Sequence, residues 1–585
     1  MAPPRHLTTR PGRDAEPRFS PDGRTLAFVS DRDTPKAGAP RQIWLLPLDG
    51  GEATRLTSVE EGVSQIDWSP DGRGILFVAT EPPGDEEKAL RERGDIRLVD
   101  RFVRLPQVWC VDVASGACRQ VTADPTAKAA PHWSPDGRRI LFEQRPDPTA
   151  NQVFHARLGI VQADGSGRTT LGRGDACETR GRWSPDGRRV AFLRREPPRY
   201  TSVDHLVVSG TGARRGERLL TRQLDRGVVD FQWTPDGQLV VLLHDGLRMH
   251  LYRMDPASGK TRVVTQGDRV VIGLSVASAQ GGLAYLAATP TQPAEVHVAA
   301  PDGSRERRVT HSNPLVAEVA LGSTRALAWR SPDGLRIDGV LLLPPGLARG
   351  RGLPLVVEPH GGPCGSRGFD FYARWQAIAA RGWAVFSPNF RGSAGYGQAF
   401  ACANDDDFGG GDFADVMSGV DALVERGIAD PERLAIMGYS YGGYMTAWAI
   451  GHTDRFRAAV VGAGVTNLHS FFGTTDIQWF TREYQHGAPW ETPTAYARQS
   501  PVTFVDRVRT PTLVYHGDED RRVPLEQSEQ LYVALRERGV PTQLVRYPRE
   551  KHGLEEYHHR VDEIERTVAW LERYGLGPTD GGSAA

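Results

Sequence analysis

The chain has 585 residues, 39% of them hydrophobic and 24% charged, with a formal net charge of −1. That length predicts two or more domains, and the near-neutral balance gives no electrostatic footing for nucleic acid or an anionic membrane surface. There is no run of about 18 apolar residues to span a membrane, and the opening stretch MAPPRHLTTRPGRDAEPRFS lacks the apolar core of a signal peptide. Cys110, Cys118, Cys177, Cys364 and Cys402 form an odd, sparse set without zinc spacing, which predicts a reducing cytoplasm. Cys110 and Cys118 could face each other across a hairpin.

The first half repeats itself. FSPDGRTLAF starts at Phe19, WSPDGRGILF at Trp68, WSPDGRRILF at Trp133, WSPDGRRVAF at Trp183 and WTPDGQLVVL at Trp233, with a degenerate VASAQGGLAYL at Val276. Each reads as a hairpin: proline presets φ, and Asp-Gly tolerates the tight reversal before a β-rich run. A second hairpin follows most copies, as in VWCVDVASGACRQVT from Val108. Four strands recurring every 45 to 65 residues or roughly so predict the blades of a β-propeller, of which six are readable. A charged insertion at 81–105 should project as a loop or short helix. Such repeats describe a scaffold; alone they fit a binding protein with no chemistry.

The pattern changes near His311, and we divide the chain into 1–315 and 316–585. Apolar strand-like runs from Leu353, Trp383, Arg433, Ala458, Thr512 and Thr542 then alternate with helical stretches. That alternation predicts a mostly parallel sheet covered on both faces. Within it, GYSYGGY (438–444) fits G-x-S-x-G. In a glycine-rich chain the bare match means little, but here an apolar strand precedes Ser440 and a helical run follows, as a nucleophile elbow requires. Serine needs a base, and the base an orienting carboxylate, in the chain order Ser, Asp or Glu, His. DEDRRVP (518–524) follows one later strand and REKHG, with His552, follows the next. Asp518, Glu519 and Asp520 compete for the acid, and spacing alone does not choose among them. The oxyanion hole needs two preorganised N–H donors: the amide of Tyr441, and one from HGGPCG (360–365), where Gly362 is favoured because Pro363 has none.

A propeller of SPDG hairpins followed by HGGP, NFRGSAGYG (389–397), GYSYGGYMT, HGDEDRRVP and YPREKHG closely resembles the prolyl oligopeptidase family of serine peptidases, and most of all its acylaminoacyl-peptidase branch. The resemblance covers nearly the whole chain and implies a propeller, usually of seven blades, capping an α/β-hydrolase and admitting short peptides. It implies Ser440 as nucleophile, Asp520 as acid, His552 as base, and Arg522 near substrate carbonyls. It also implies a specificity pocket built from NLHSFFGTTDIQWF (467–480), with Leu468, Phe471, Phe472 and Trp479 as candidates. Two features depart from the pattern. Prolyl oligopeptidases and dipeptidyl peptidases carry a tyrosine at the place of His360, and no Glu-Glu pair sits in surroundings suited to gripping a free amino terminus.

GTGARRG from Gly210 is a turn among propeller strands rather than a dinucleotide fingerprint, and GGGD from Gly409 lacks a phosphate-loop lysine. With no H-E-x-x-H, neither a metal nor another cofactor is expected. The expected protein is a serine peptidase of short peptides. The alternatives are a dipeptidyl aminopeptidase or a carboxylesterase on the same fold, and, in another class, a propeller interaction protein with a vestigial hydrolase. Self-association into a homo-oligomer is left open.

Overall fold

The computed structural model describes residues 6–577 apart from 35–37, 95, 97, 213–215 and 348. Strands β1–β24 form six antiparallel four-stranded blades at residues 14–55, 64–120, 127–171, 177–219, 228–263 and 270–308. Each readable repeat is one blade, and the seventh that the resemblance implies is not among the described residues. The SPDG chemistry is a closed local circuit. In blade 1 Ser20 Oγ donates to Asp22 at 2.6 Å and accepts the amide of Thr25 at 2.9 Å, while Gly23 takes a φ of 71°. Ser69, Ser134, Ser184 and Thr234 repeat this circuit in blades 2 to 5.

Neighbouring blades share apolar layers. Phe77 and Ile66 pack on Ala27 and Ile43 between blades 1 and 2, and equivalent layers join 2 to 3, 3 to 4, 4 to 5 and 5 to 6. The repeat's tryptophan reinforces them: the indoles of Trp68, Trp183 and Trp233 donate to backbone carbonyls of Arg18, His132 and Arg182 in the preceding blade. No such layer joins blades 6 and 1 among the described residues. The outer face of blade 1 (Leu26, Phe28, Trp44, Leu46) is a cluster of its own, capped by Arg32 stacked over Phe28 and Trp44. Phe19, which replaces the tryptophan in the first repeat, is 64% exposed, and Ile272 and Leu286 of blade 6 are also exposed. The ring is therefore open at this seam.

Two smaller expectations resolve here. Helix Asp85–Glu92 stands in the charged insertion with Asp85, Glu86 and Glu87 in its first turn, where acids suit the helix dipole; residues 95 and 97 of that insertion, and 213–215 of the turn at 210–216, lie outside the described residues. All five cysteines are unpaired. Cys110 and Cys118 miss each other by one position, because the hairpin register sets Cys110 against Arg119 and Cys118 against Val111.

The second half is an eight-stranded sheet. Its strands are β25 (Ser323–Arg330), β26 (Arg336–Leu343), β27 (Leu353–Val357), β28 (Ala384–Asn389), β29 (Ala429–Tyr439), β30 (Phe456–Gly462), β31 (Thr512–Gly517) and β32 (Thr542–Tyr547), in the order β25-β26-β28-β27-β29-β30-β31-β32. The first two are antiparallel and the rest run parallel from β28 onward. Helices cover both faces around two apolar cores, so the parallel strands read as unbroken apolar runs. The division we set at 315/316 falls between the last propeller strand and β25. No helix among the described residues is long and apolar enough to cross a membrane.

The open ring makes a stability prediction. Phe77→Ala, inside a shared layer, should cost about 3–5 kcal/mol by denaturant unfolding. Phe19→Ala should cost under about 1 kcal/mol. A comparable loss for both would mean that blades 6 and 1 close on each other.

Candidate active site

Ser440 stands between β29 and the helix Tyr441–His452 with φ 61° and ψ −121°, a strained backbone for a residue with a side chain. The strain is held because the helix packs hard against the sheet: a Cβ at Gly442 would lie 2.1 Å from the carbonyl oxygen of Pro359. The turn lifts the serine hydroxyl above the carboxyl end of the sheet, and the loops after β31 and β32 meet it there. His552 Nε2 lies 3.0 Å from Ser440 Oγ, and His552 Nδ1 lies 2.7 Å from Asp520 Oδ2.

The geometry separates the three acids. Asp518 turns away to Arg546 at 2.8 Å, and Glu519 is exposed. Asp520 is buried, and its other oxygen accepts the amides of Arg522 and Val523 at 2.9 and 3.0 Å. Burial works against its charge, but hydrogen bonds from His516 and His552 prevail and hold the carboxyl down at about 2. Asp520 is thus an anion across the neutral range, fit to orient an imidazole and to stabilise an imidazolium. The His552 loop is pinned in turn by Glu550, whose carboxylate accepts the amides of Glu555 and Glu556 and a bond from His559 at 2.7 Å.

The amide of Tyr441 opens its helix and therefore has no acceptor within it. Neither this amide nor that of Gly362 donates a hydrogen bond among the described residues, and both residues line the cavity that holds Ser440. His360 is enclosed, stacked on Phe390 and bonded to Ser393 Oγ at 2.8 Å. Burial pushes its pKa down to about 3, so its ring stays neutral. It is committed to the fold beneath the HGGP loop.

The cavity beside Ser440 has a volume of about 250 Å³. Of the residues expected in its wall, Leu468, Phe471 and Arg522 line it, and Phe472 and Trp479 do not. Helical register explains both misses. Leu468 and Phe471 are three apart on the buried face of helix Leu468–Thr474, whereas Phe472 turns outward against Trp490, with ring centroids 5.5 Å apart. In the next helix the pocket takes Phe480; Trp479, one position earlier, is 38% exposed and meets His155 of the propeller. Arg522 is steadied by Asp476 at 2.7 Å, a partner the sequence did not reveal.

Tyr200 is the main wall residue missed. It comes from the propeller, in the loop between the second and third strands of blade 4, and stacks edge-on against Phe480 at 5.2 Å. Its amide donates to Glu483 of the second domain at 2.8 Å. A tyrosine in the proline-rich stretch EPPRYTS carries no periodic signal, so only the docking of two domains gives it this place. Phe408 and Tyr444 also stand in the wall.

Similarity searches agree with this geometry. Residues 369–576 match the family model described as "Prolyl oligopeptidase family". The chain is 31% identical to an uncharacterized peptidase, YuxL, of Bacillus subtilis, over 96% of this chain and 90% of that protein. It is 34% identical to the acylamino-acid-releasing enzyme of Homo sapiens over 41% of this chain and 34% of that enzyme. Among solved structures, the acylaminoacyl peptidase of Pyrococcus horikoshii superposes with a TM-score of 0.82 at 25% identity, over 97% of this chain and 90% of that one.

If Tyr200 shapes the cavity, Tyr200→Ala should lower kcat/KM at least tenfold for substrates whose side chain fills it, in line with the value of a lost apolar contact. Reaction of Ser440 with a small fluorophosphonate should change less than about twofold. Equal losses for both reagents would mean that Tyr200 supports the fold instead. Propeller, elbow and cavity together make one conclusion: the chain belongs to the prolyl oligopeptidase family of serine peptidases and resembles its acylaminoacyl-peptidase members.

Proposed function

We propose that the enzyme cleaves short peptides through an acyl-enzyme on Ser440, with His552 as general base and Asp520 as the carboxylate that orients it. The observation that carries this reading is the hydrogen-bonded chain Ser440–His552–Asp520 at the mouth of an apolar cavity. His552 takes the hydroxyl proton as Oγ attacks the scissile carbonyl. The free amides of Tyr441 and Gly362 receive the developing oxyanion. The imidazolium then protonates the leaving amine, and water, activated by the same ring, releases the acyl group.

An N-acylated amino end suits the cavity best. Among the described residues lining it there is no carboxylate to pair with an ammonium; its charged group is the Arg522 guanidinium, a donor for peptide carbonyls. Apolar walls from Leu468, Phe471, Ile477, Phe480 and Tyr200 favour an apolar side chain beside the scissile bond. Blades 3 to 6 dock on the catalytic domain, for instance through Gly246 to Gly395 at 2.9 Å and Val203 to Gln398 at 2.8 Å. The cap so formed supports a limit on substrate size, because a folded protein would have to unfold to reach Ser440. Five unpaired thiols suit a reducing compartment, and we assign the enzyme to the cytoplasm.

Ser440→Ala should reduce turnover on the order of 10⁴-fold or more, and Asp520→Asn roughly 10⁴-fold through loss of the correct tautomer. Asp518→Asn, which breaks only the pair with Arg546, should stay within a few-fold. A crippled Asp518→Asn beside an active Asp520→Asn would contradict the assignment of the acid.

Substrate class is tested by presenting one scissile sequence as a short acetylated peptide, as its free-amine twin, and within a denatured protein. The acetylated peptide should be cut at least as fast as its twin, and the denatured protein scarcely at all. Strong preference for the free amine would indicate dipeptide release, and rapid cutting of the protein would refute the size limit.

A further inference from the structure

A second cavity, of about 390 Å³, lies behind the His552 loop on the side away from the Ser440 pocket. Three arginines line it, Arg367, Arg374 and Arg560, with two carboxylates, Glu358 and Glu563. The carboxylates are already committed. Glu358 accepts from Arg374 at 2.6 Å and also from the Trp375 indole, and Glu563 accepts from Arg374 at 3.1 Å and from Thr567 at 3.2 Å. Arg374 is therefore neutralised between them. Arg367 pairs with the same carboxylate more loosely: its Nη2 stands 3.6 Å from Glu358, its guanidinium lies over the Tyr372 ring, and its Nε is buried with no acceptor among the described residues. Arg560 makes no side-chain hydrogen bond or ion pair among the described residues, and it is exposed at the cavity's edge.

A buried guanidinium N–H without an acceptor is costly, and such groups in native structures are as a rule met by a partner. Three guanidiniums line the cavity against two carboxylates, so the unpaired cation is that of Arg560 at the cavity's edge, and the remaining wall is apolar and aromatic, with Tyr372, Leu554 and Ile564. Guanidiniums beside an apolar and aromatic wall match a small monocarboxylate with an aromatic or alkyl body. We propose that this cavity is a binding site for such an acid, its carboxylate held by Arg367 and Arg560.

The site bears on the catalytic centre through two contacts. Gly553, next to His552, forms part of the wall, and the Tyr439 ring lies between cavity and imidazole, its centroid 5.2 Å from that of His552. An acid bound here presses on the element that positions the imidazole without entering the Ser440 pocket, so it should act on kcat rather than on KM.

Phenylacetate is the probe. Calorimetric titration into the wild-type enzyme should show saturable binding. Arg560→Glu should weaken it tenfold or more, about the value of a charge-assisted contact, and Arg560→Lys should retain most of it. Arg560→Glu should keep the wild-type circular dichroism spectrum and basal peptidase rate, since Arg560 contacts none of Ser440, His552 and Asp520. Saturating phenylacetate should change kcat with KM unmoved. Inorganic phosphate, which has the charge without the apolar body, should bind at least tenfold more weakly. Undetectable phenylacetate binding, binding indifferent to Arg560→Glu, equal binding of phosphate, or a purely competitive pattern that places the acid beside Ser440 would each overturn the proposal.

Discussion

The helix Tyr441–His452 can approach the sheet closely only because Gly438, Gly442 and Gly443 carry no side chain. A Cβ at Gly438 would lie 2.2 Å from the carbonyl oxygen of Gly442, and one at Gly443 would lie 2.6 Å from that of Gly462. Without that approach, nothing would hold the backbone of Ser440 in its left-handed conformation, and the hydroxyl would not stand clear of the sheet. The helix is buried along nearly its whole length, so the strain at one residue is set against the packing of many. The same turn aims the amide of Tyr441 into the cavity. The proposed nucleophile and oxyanion donor are thus products of one constraint.

The other parts arrive from separate strand ends, and each is locked by its own polar contacts. Backbone amides and His516 keep Asp520 ionised and still, while Glu550 ties down the loop of His552. The propeller is more than a lid in this arrangement, because it brings Tyr200 into the wall of the cavity. Any movement of the propeller away from the catalytic domain would also dismantle the pocket. The open seam between blades 6 and 1 leaves the ring held by five shared layers, and the docked blades are those farther along the chain.

Features governed by local chemistry were legible in the sequence. The SPDG turns announce themselves through a hydroxyl-carboxylate circuit confined to about six residues, and strand-helix alternation announced the parallel sheet. The elbow was legible because its glycines answer a need of the backbone. Features created by apposition were not. Asp518, Glu519 and Asp520 look alike in a string and differ only in which carboxylate two amides and two imidazoles face. Phe472 and Trp479 each stand one helical position from a wall residue, Phe471 and Phe480, because apolar character does not report helix phase in seven-residue helices. Tyr200 had no signal at all. The open ring had a faint one: the first repeat has phenylalanine where the next four have tryptophan, and so lacks the indole N–H that clamps one blade to the blade before it.

We hold that Ser440 is made reactive by the imidazole of His552, which Asp520 orients. Mass-spectrometric mapping of the adduct formed with diisopropyl fluorophosphate tests it most directly. A single modified residue, Ser440, is expected in the native enzyme, with loss of that adduct in His552→Ala under the same exposure. Modification of a different serine, or undiminished labelling of Ser440 without His552, would contradict it.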